Sequence, residues 1–521
     1  MSPLLLLVLG LLLPLLLLVL RGRTRREDEP PLIKGWIPFI GKALEFGKDA
    51  HKFLKEHKRK FGDVFTVQIA GKYMTFIMDP LLYPNIIKQG RQLDFHEFSN
   101  RVASFAFGYP PVTSKFPGLK EQITRGFILL QGDNLTPLTE SMMGNLMLVF
   151  RQDYLDQESS WKTAYMYKLC NSIMFEATFL TMYGKPPSAS RHSGMSVLET
   201  DFIKFDKMFP LLVAQIPIWL LGRTRAIRER LINYFLPHQM SCWSHSSEFI
   251  RTRFEMFEQY DTLRDFDKAA HHFAILWASL GNTVPAIFWV TYYLVSHPEA
   301  LQFVRRELED VLRLSGVEFS RDKDVMLTPA HLEKLLYMGT CTQRFCIRTL
   351  RDVNLKIIDP TVSTESAIEE SLRLCSASMN IRVAQEDFSL RLDAERSAAV
   401  RKGDIIALYP QAMHLDPEIY EDPQTFRFDR YVQNGQKKTN FYKRGQKLKH
   451  YLMPFGSGAS KCPGRFFAIN EIKQFLSVIL LYLDLELEEG QSKATLDLSR
   501  AGLGVMLPAE DVRFRYRLRP V

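Results

Sequence analysis

"FGSGASKCPG", residues 455–464, decides how this 521-residue chain reads. One cysteine, Cys462, stands among Gly456, Gly458 and Gly464, with Phe455 at the head of the stretch. Pro463 follows it, and "GRFFAINEIKQFLSVILLYL" then repeats its apolar residues at helical spacing. Cys462 therefore sits at a helix N-terminus, where proline is favoured in the first turn. A thiol there is stabilised as thiolate by the helix dipole and by free N–H groups. The glycines let the backbone pass close to something flat and turn N–H groups toward the sulfur.

A thiolate held by N–H donors beside an aromatic ring is what a haem iron needs as an axial ligand. Taken alone, the loop also reads as a buried structural cysteine in a glycine turn. The surrounding sequence bears on the choice. Upstream, "ESAIEESLRL" (365–374) reads as a helix, with Glu370 and Arg373 on one face. "FRFDRY" (426–431) carries Arg430, and "SASMNIR" carries Arg382. "DFSLRLD" and "DIIALYP" read as strands, and "LDLELEEG" and "DVRFRYRLRP" alternate like edge strands.

Residues 263–297 form the longest helical stretch, apolar on nearly all sides and so buried through the core. Pro285 lies inside it. Proline has no N–H, so the carbonyl of Gly281 loses its helical partner and the turn opens beside Asn282 and Thr283.

The N-terminus, "MSPLLLLVLGLLLPLLLLVL", is an uncharged run long enough to span a bilayer. It has no basic residues before it and "RGRTRRED" after it, which predicts a retained signal anchor (1–20) with the body in the cytosol. A cleaved signal is the other reading. Residues 21–41 read as a basic, proline-rich hinge, and 42–521 as one large domain. The net charge of +9 is modest and the basic residues are spread widely, so no nucleic-acid footprint is indicated. Six irregularly spaced cysteines give no disulfide framework, and most read as small buried residues in a reducing compartment. "KKTNFYKRGQKLKH" (437–450) concentrates positive charge, either as a solvated loop or as a docking site for an acidic protein.

The pattern F-x-x-G-x-x-x-C-x-G (Phe455, Gly458, Cys462, Gly464), preceded by the E-x-x-R pair and by Arg430, resembles the haem-thiolate signature of the cytochrome P-450 superfamily, and the resemblance covers the whole chain. It implies a mainly α fold with a minor β-sheet and a haem b whose iron takes the Cys462 thiolate. Phe455, Gly458 and Gly464 would then cradle the cofactor, and Arg382 would contact a haem propionate. Glu370, Arg373 and Arg430 would form a structural ion triad bracing the cysteine loop. There are departures. Ser460 stands where the family usually has Arg or His, and the usual Trp and Arg of an earlier helix are not identifiable. The family's common acid–Thr pair appears as Asn282–Thr283.

Thr283 bears on the reaction. Oxygen activation needs a proton relay, and a hydroxyl in an opened turn can hold the water that serves it. The prostacyclin synthase branch, a haem-thiolate isomerase, resembles this chain but typically lacks that threonine. A non-catalytic membrane haem protein is a further alternative. "FDKMFPLLVAQIP", "WASLGNT", "SASMNIR" and "SRAGLGVM" are similar to the cholesterol 7-alpha-hydroxylase branch, with the oxysterol 7-alpha- and sterol 12-alpha-hydroxylase branches close by. The resemblance implies a sterol substrate, O2, an NADPH-dependent cytochrome reductase and membrane lipid as partners, bile-acid synthesis as the setting, and a single-pass endoplasmic reticulum location. "WASLGN", "SASMN" and "SRAGLG" are the candidate lining pieces of the pocket.

One stretch does not fit. The resemblance is continuous to Met338 and resumes at Glu365; between them lie residues 339–364, which include Cys341 and Cys346. They read as an in-frame retained intron, or as a genuine surface insertion, and in either case predict a surface loop.

Overall fold

The computed structural model describes residues 10–14, 16, 22–155, 159–187, 193–317, 319–320, 323–337, 360–434 and 436–520. Most of the segment read above as an anchor and residues 339–359, with Cys341 and Cys346, lie outside them.

Helices dominate, and a six-stranded mixed sheet is set to one side. Its strand order is Leu32–Ile33, Val64–Ile69, Lys72–Ile77, Ile405–Leu408, Asn380–Ala384 and Leu93–Asp94. Ile405–Leu408 is buried at every position, as the run "IIAL" requires of a central strand. The strand Asn380–Ala384 runs antiparallel to it, pairing Arg382 with Ile406. That register carries Arg382 to the edge of the cysteine loop.

A second sheet has three antiparallel strands in the order Leu483–Leu487, Arg513–Leu518, Lys162–Tyr165. The alternating C-terminal run is therefore a central strand, not an edge. Lys162–Tyr165 covers its second side, a pairing across some of the longest sequence separations in the chain that alternation alone cannot reveal.

The apolar stretch 263–297 forms two helices, Asp265–Leu280 and Thr283–Ser296, where a single one was expected. The junction is a kink at Gly281 and Asn282. Pro285 is the third residue of the second helix, where an N–H has no helical partner in any case. The chain thus accommodates its proline by starting a new helix. This pair is mostly buried inside the protein.

Thr283–Ser296 packs against both the E-x-x-R helix, Pro360–Cys375, and the cysteine helix, Arg465–Tyr482. The E-x-x-R helix starts at Pro360, so residues 360–364 are helical and do not join a surface loop. Proline presets φ for a first helical turn, which a reading based on family resemblance alone passes over.

Candidate haem-thiolate site

Gly456 (φ 74°) and Gly458 (φ 56°) turn the cysteine loop through left-handed backbone. The Cys462 N–H donates to the Phe455 carbonyl at 2.8 Å and closes it. A Cβ on Gly456 would lie 2.7 Å from the Ser460 carbonyl oxygen, and one on Gly458 would lie 2.9 Å from Ile87 Cγ2. Neither position has room for a side chain. Burial raises the Cys462 thiol, while the N–H groups of Gly464 and Arg465 and the Arg465 charge pull it back down. The sulfur thus has the donors expected at this helix start. Burial is the largest of these effects.

Glu370, Arg373 and Arg430 come together as the spacing predicts. Arg373 donates Nε and Nη2 to Glu370 at 2.7 and 2.8 Å, and Arg430 Nε donates to Glu370 Oε1 at 2.8 Å. Glu370 and Arg373 are fully buried. The remaining guanidinium N–H groups reach main-chain carbonyls: Arg373 those of His414 and Pro423, Arg430 those of Glu421, Asp422 and Thr425. Breaking such a pair by removing one partner costs about 3–5 kcal/mol.

His414 was not singled out in the sequence, yet it carries the triad to the cysteine loop. Its carbonyl accepts from Arg373, and its Nε2 accepts the Met453 N–H at 3.0 Å, just ahead of Phe455. Its chain is "AMHL", with no local pattern to mark it.

Arg382 is 3% exposed and donates Nη2 to the Ser457 carbonyl at 3.0 Å. Its Nη1 is buried without a hydrogen-bond partner among the described residues, as is Asn380 Nδ2 on the same strand. Burial depresses the Arg382 pKa, with no carboxylate to offset it. A buried guanidinium with a spare donor beside a glycine cradle and a cysteine fits a haem propionate. Ser460, in place of a basic residue, donates to the Ser457 carbonyl at 2.8 Å and so serves the loop itself. Ser457, also missed in the sequence, ties Asn380 to the loop through its hydroxyl at 3.1 Å.

On the kinked helix, Asn282 Oδ1 accepts the Val505 N–H at 3.0 Å. Gly504 admits this approach, since a Cβ there would fall 2.1 Å from Asn282 Oδ1. The Ala377 N–H donates to the Gly504 carbonyl at 2.8 Å, and the Ala377 carbonyl accepts the Gly502 N–H at 2.7 Å. The stretches "WASLGN", "SASMN" and "SRAGLG" therefore meet. Thr283 is 5% exposed, and its hydroxyl makes no hydrogen bond among the described residues. By contrast, Ser279 spends its hydroxyl on the Ile275 carbonyl at 2.8 Å.

The basic run is partly neutralised. Lys437 pairs with Glu365 and Glu369, Lys443 with Asp416 and Glu418, and Arg444 with Asp79. Lys447 and Lys449 remain exposed. Of the other cysteines, Cys170 and Cys375 are buried and Cys242 is exposed.

This arrangement is that of a haem-thiolate protein. The family described as Cytochrome P450 matches residues 30–336 and 356–514, and the chain belongs to it. The family carries haem with a thiolate-ligated iron. The chain is 40% identical to cytochrome P450 7B1 of Mus musculus over 96% of its own length and 93% of that protein's. It is 41% identical to cholesterol 7-alpha-monooxygenase of Cricetulus griseus, covering 95% of each. It is 39% identical to 25-hydroxycholesterol 7-alpha-hydroxylase of Rattus norvegicus, covering 84% of this chain and 99% of that one. The gap in the family match, residues 337–355, overlaps the stretch that fits no resemblance.

Proposed function

We propose that the protein is an NADPH- and O2-dependent sterol monooxygenase that hydroxylates cholesterol at the 7-alpha position, in bile-acid synthesis. Support comes from relatives named as cholesterol 7-alpha-monooxygenase and 25-hydroxycholesterol 7-alpha-hydroxylase, similar over most of both chains. The observation that carries the reaction type is Thr283, a residue 5% exposed at a helix kink, whose hydroxyl makes no hydrogen bond among the described residues. That favours a monooxygenase over an isomerase.

Haem, when bound, would supply oxygen activation, with the Cys462 thiolate holding its iron. Arg382 would hold a propionate, and Phe455, Gly458 and Gly464 would shape the cradle. Thr283 Oγ1 holds the water that moves a proton into the site. Asn282 has already committed its carbonyl oxygen to Val505, so it positions the 502–505 turn over the substrate. The triad keeps the cysteine loop in register through His414. Electrons arrive from an NADPH-dependent reductase docked at the exposed Lys447 and Lys449, and residues 1–20 anchor the chain in the endoplasmic reticulum membrane.

The test is a difference-spectral titration of the haem-loaded protein with cholesterol and with 25-hydroxycholesterol, followed by product analysis with reductase and NADPH. Cholesterol binding with a 7-alpha-hydroxylated product is expected. Preference for 25-hydroxycholesterol moves the assignment to an oxysterol hydroxylase, and no hydroxylated sterol from either overturns it.

A further inference from the structure

Arg253 lies in the helix Glu248–Glu258 and is 4% exposed. Its Nε and Nη1 are buried with no hydrogen-bond partner among the described residues. Aromatic rings surround it: the guanidinium carbon lies 5.2 Å from the ring centre of Phe257, 5.8 Å from Phe249 and 6.0 Å from Phe127. No described carboxylate lies within ion-pair distance of it. The nearby acids serve other cations, Glu258 holding Lys268 at 3.0 Å and Asp267 holding Arg264 at 2.7 Å.

Two further buried groups adjoin it. His271 stacks between Tyr109 (3.7 Å) and Phe257 (4.8 Å), and His272 meets the edge of Phe257 at 5.7 Å. His271 Nε2 and His272 Nδ1 are also buried without a partner among the described residues. Burial and the Arg253 charge hold both imidazoles neutral, so neither competes with the guanidinium as a cation. A neutral imidazole can still donate one N–H.

Aromatic faces soften the burial of a cation but leave its N–H donors unmet. Arg382 shows the same signature in this chain, a buried guanidinium with a spare donor and no carboxylate, and on the function proposed above an anionic haem propionate would answer it. We propose that the Arg253 guanidinium seats a second anion, a monovalent one such as chloride or the carboxylate of a small organic acid. The site is separate from the kink at Asn282 and Thr283. His271 lies eleven residues before Asn282, about 16 Å along the helix axis.

The test uses the haem-loaded protein. Thermal unfolding is followed while sodium chloride, and separately sodium acetate, is titrated at an ionic strength held constant with sodium sulfate. Crystals soaked in sodium bromide are examined for anomalous scattering. A saturable rise in Tm with chloride, and a bromide peak within hydrogen-bond distance of Arg253, are expected. A rise with acetate and no bromide peak assigns the site to carboxylates. Arg253→Met should abolish the rise. Without an anion, replacing an unpaired buried arginine with an apolar side chain is neutral or stabilising, so Arg253→Met would leave the salt response unchanged. If that variant does not fold, Arg253→Lys keeps the charge and should raise the half-saturating chloride concentration several-fold. No saturable response to either anion in the wild type, together with no bromide peak, overturns the proposal.

Discussion

Met453 donates its backbone N–H to Nε2 of the buried His414 at 3.0 Å. An imidazole that accepts at Nε2 carries its proton on Nδ1 and is neutral. Burial, then the charge of Arg373, lowers its pKa to about 3. An unfolded histidine titrates near ~6.5, so the stability this neutral ring contributes is complete above that pH. It is lost as pH falls toward the folded value, at about 1.4 kcal/mol per pH unit. His414→Gln offers an acceptor that does not titrate. Urea unfolding of that variant between about pH 4 and pH 6.5 should show a shallower loss of stability than wild type. A slope remains from His272, whose pKa is also lowered to about 3.

Glu370 is the single carboxylate between two buried arginines. Glu370→Ala strands both charges and should cost about 3–5 kcal/mol, with loss of haem. Glu370→Gln keeps the shape and one acceptor but loses the charge, and should fall between wild type and the alanine variant. Haem content and the carbon monoxide difference spectrum rank the three.

Arg382→Met removes the spare donor but retains much of the apolar stem. A charged hydrogen bond is worth about 1.5–3 kcal/mol, so haem transfer to an acceptor protein should quicken ~10- to 100-fold. The difference spectrum of the haem that remains should still be that of a thiolate, because Cys462 is untouched. An unchanged transfer rate would exclude the propionate role.

Thr283→Ala removes the free hydroxyl at the kink. Sterol affinity should hold, while NADPH consumption continues with peroxide released and little hydroxysterol formed. Unchanged coupling would shift the relay to water held by the Asn282 amide.

What the sequence made legible follows physical range. Phe455 to Gly464 is one contiguous loop in which Gly456 and Gly458 are demanded by contacts of under 3 Å, so residue type and spacing were enough. Glu370 and Arg373 share a helical face, and that too is local. Arg430 came from family order, and its geometry agrees. His414, Ser457 and the Asn282–Val505 contact were not legible, because each depends on partners brought together only by the folded chain. The kink differs for another reason. Pro285 announces an opened turn, but only the packing of both helices into the core shows that the chain restarts at Thr283. The charge count of the basic run did not reveal its partners, since Lys437 and Lys443 are matched by acids from distant segments.

The start of the E-x-x-R helix at Pro360 bears on the unmatched stretch before it. Ten residues separate Pro360 from Glu370, nearly three turns and about 15 Å of helix. That length acts as a mechanical buffer. Strain from upstream chain is taken up in turns that carry no triad residue. A chain trimmed within residues 339–355 should therefore keep Glu370 against Arg430 and load haem as the full chain does.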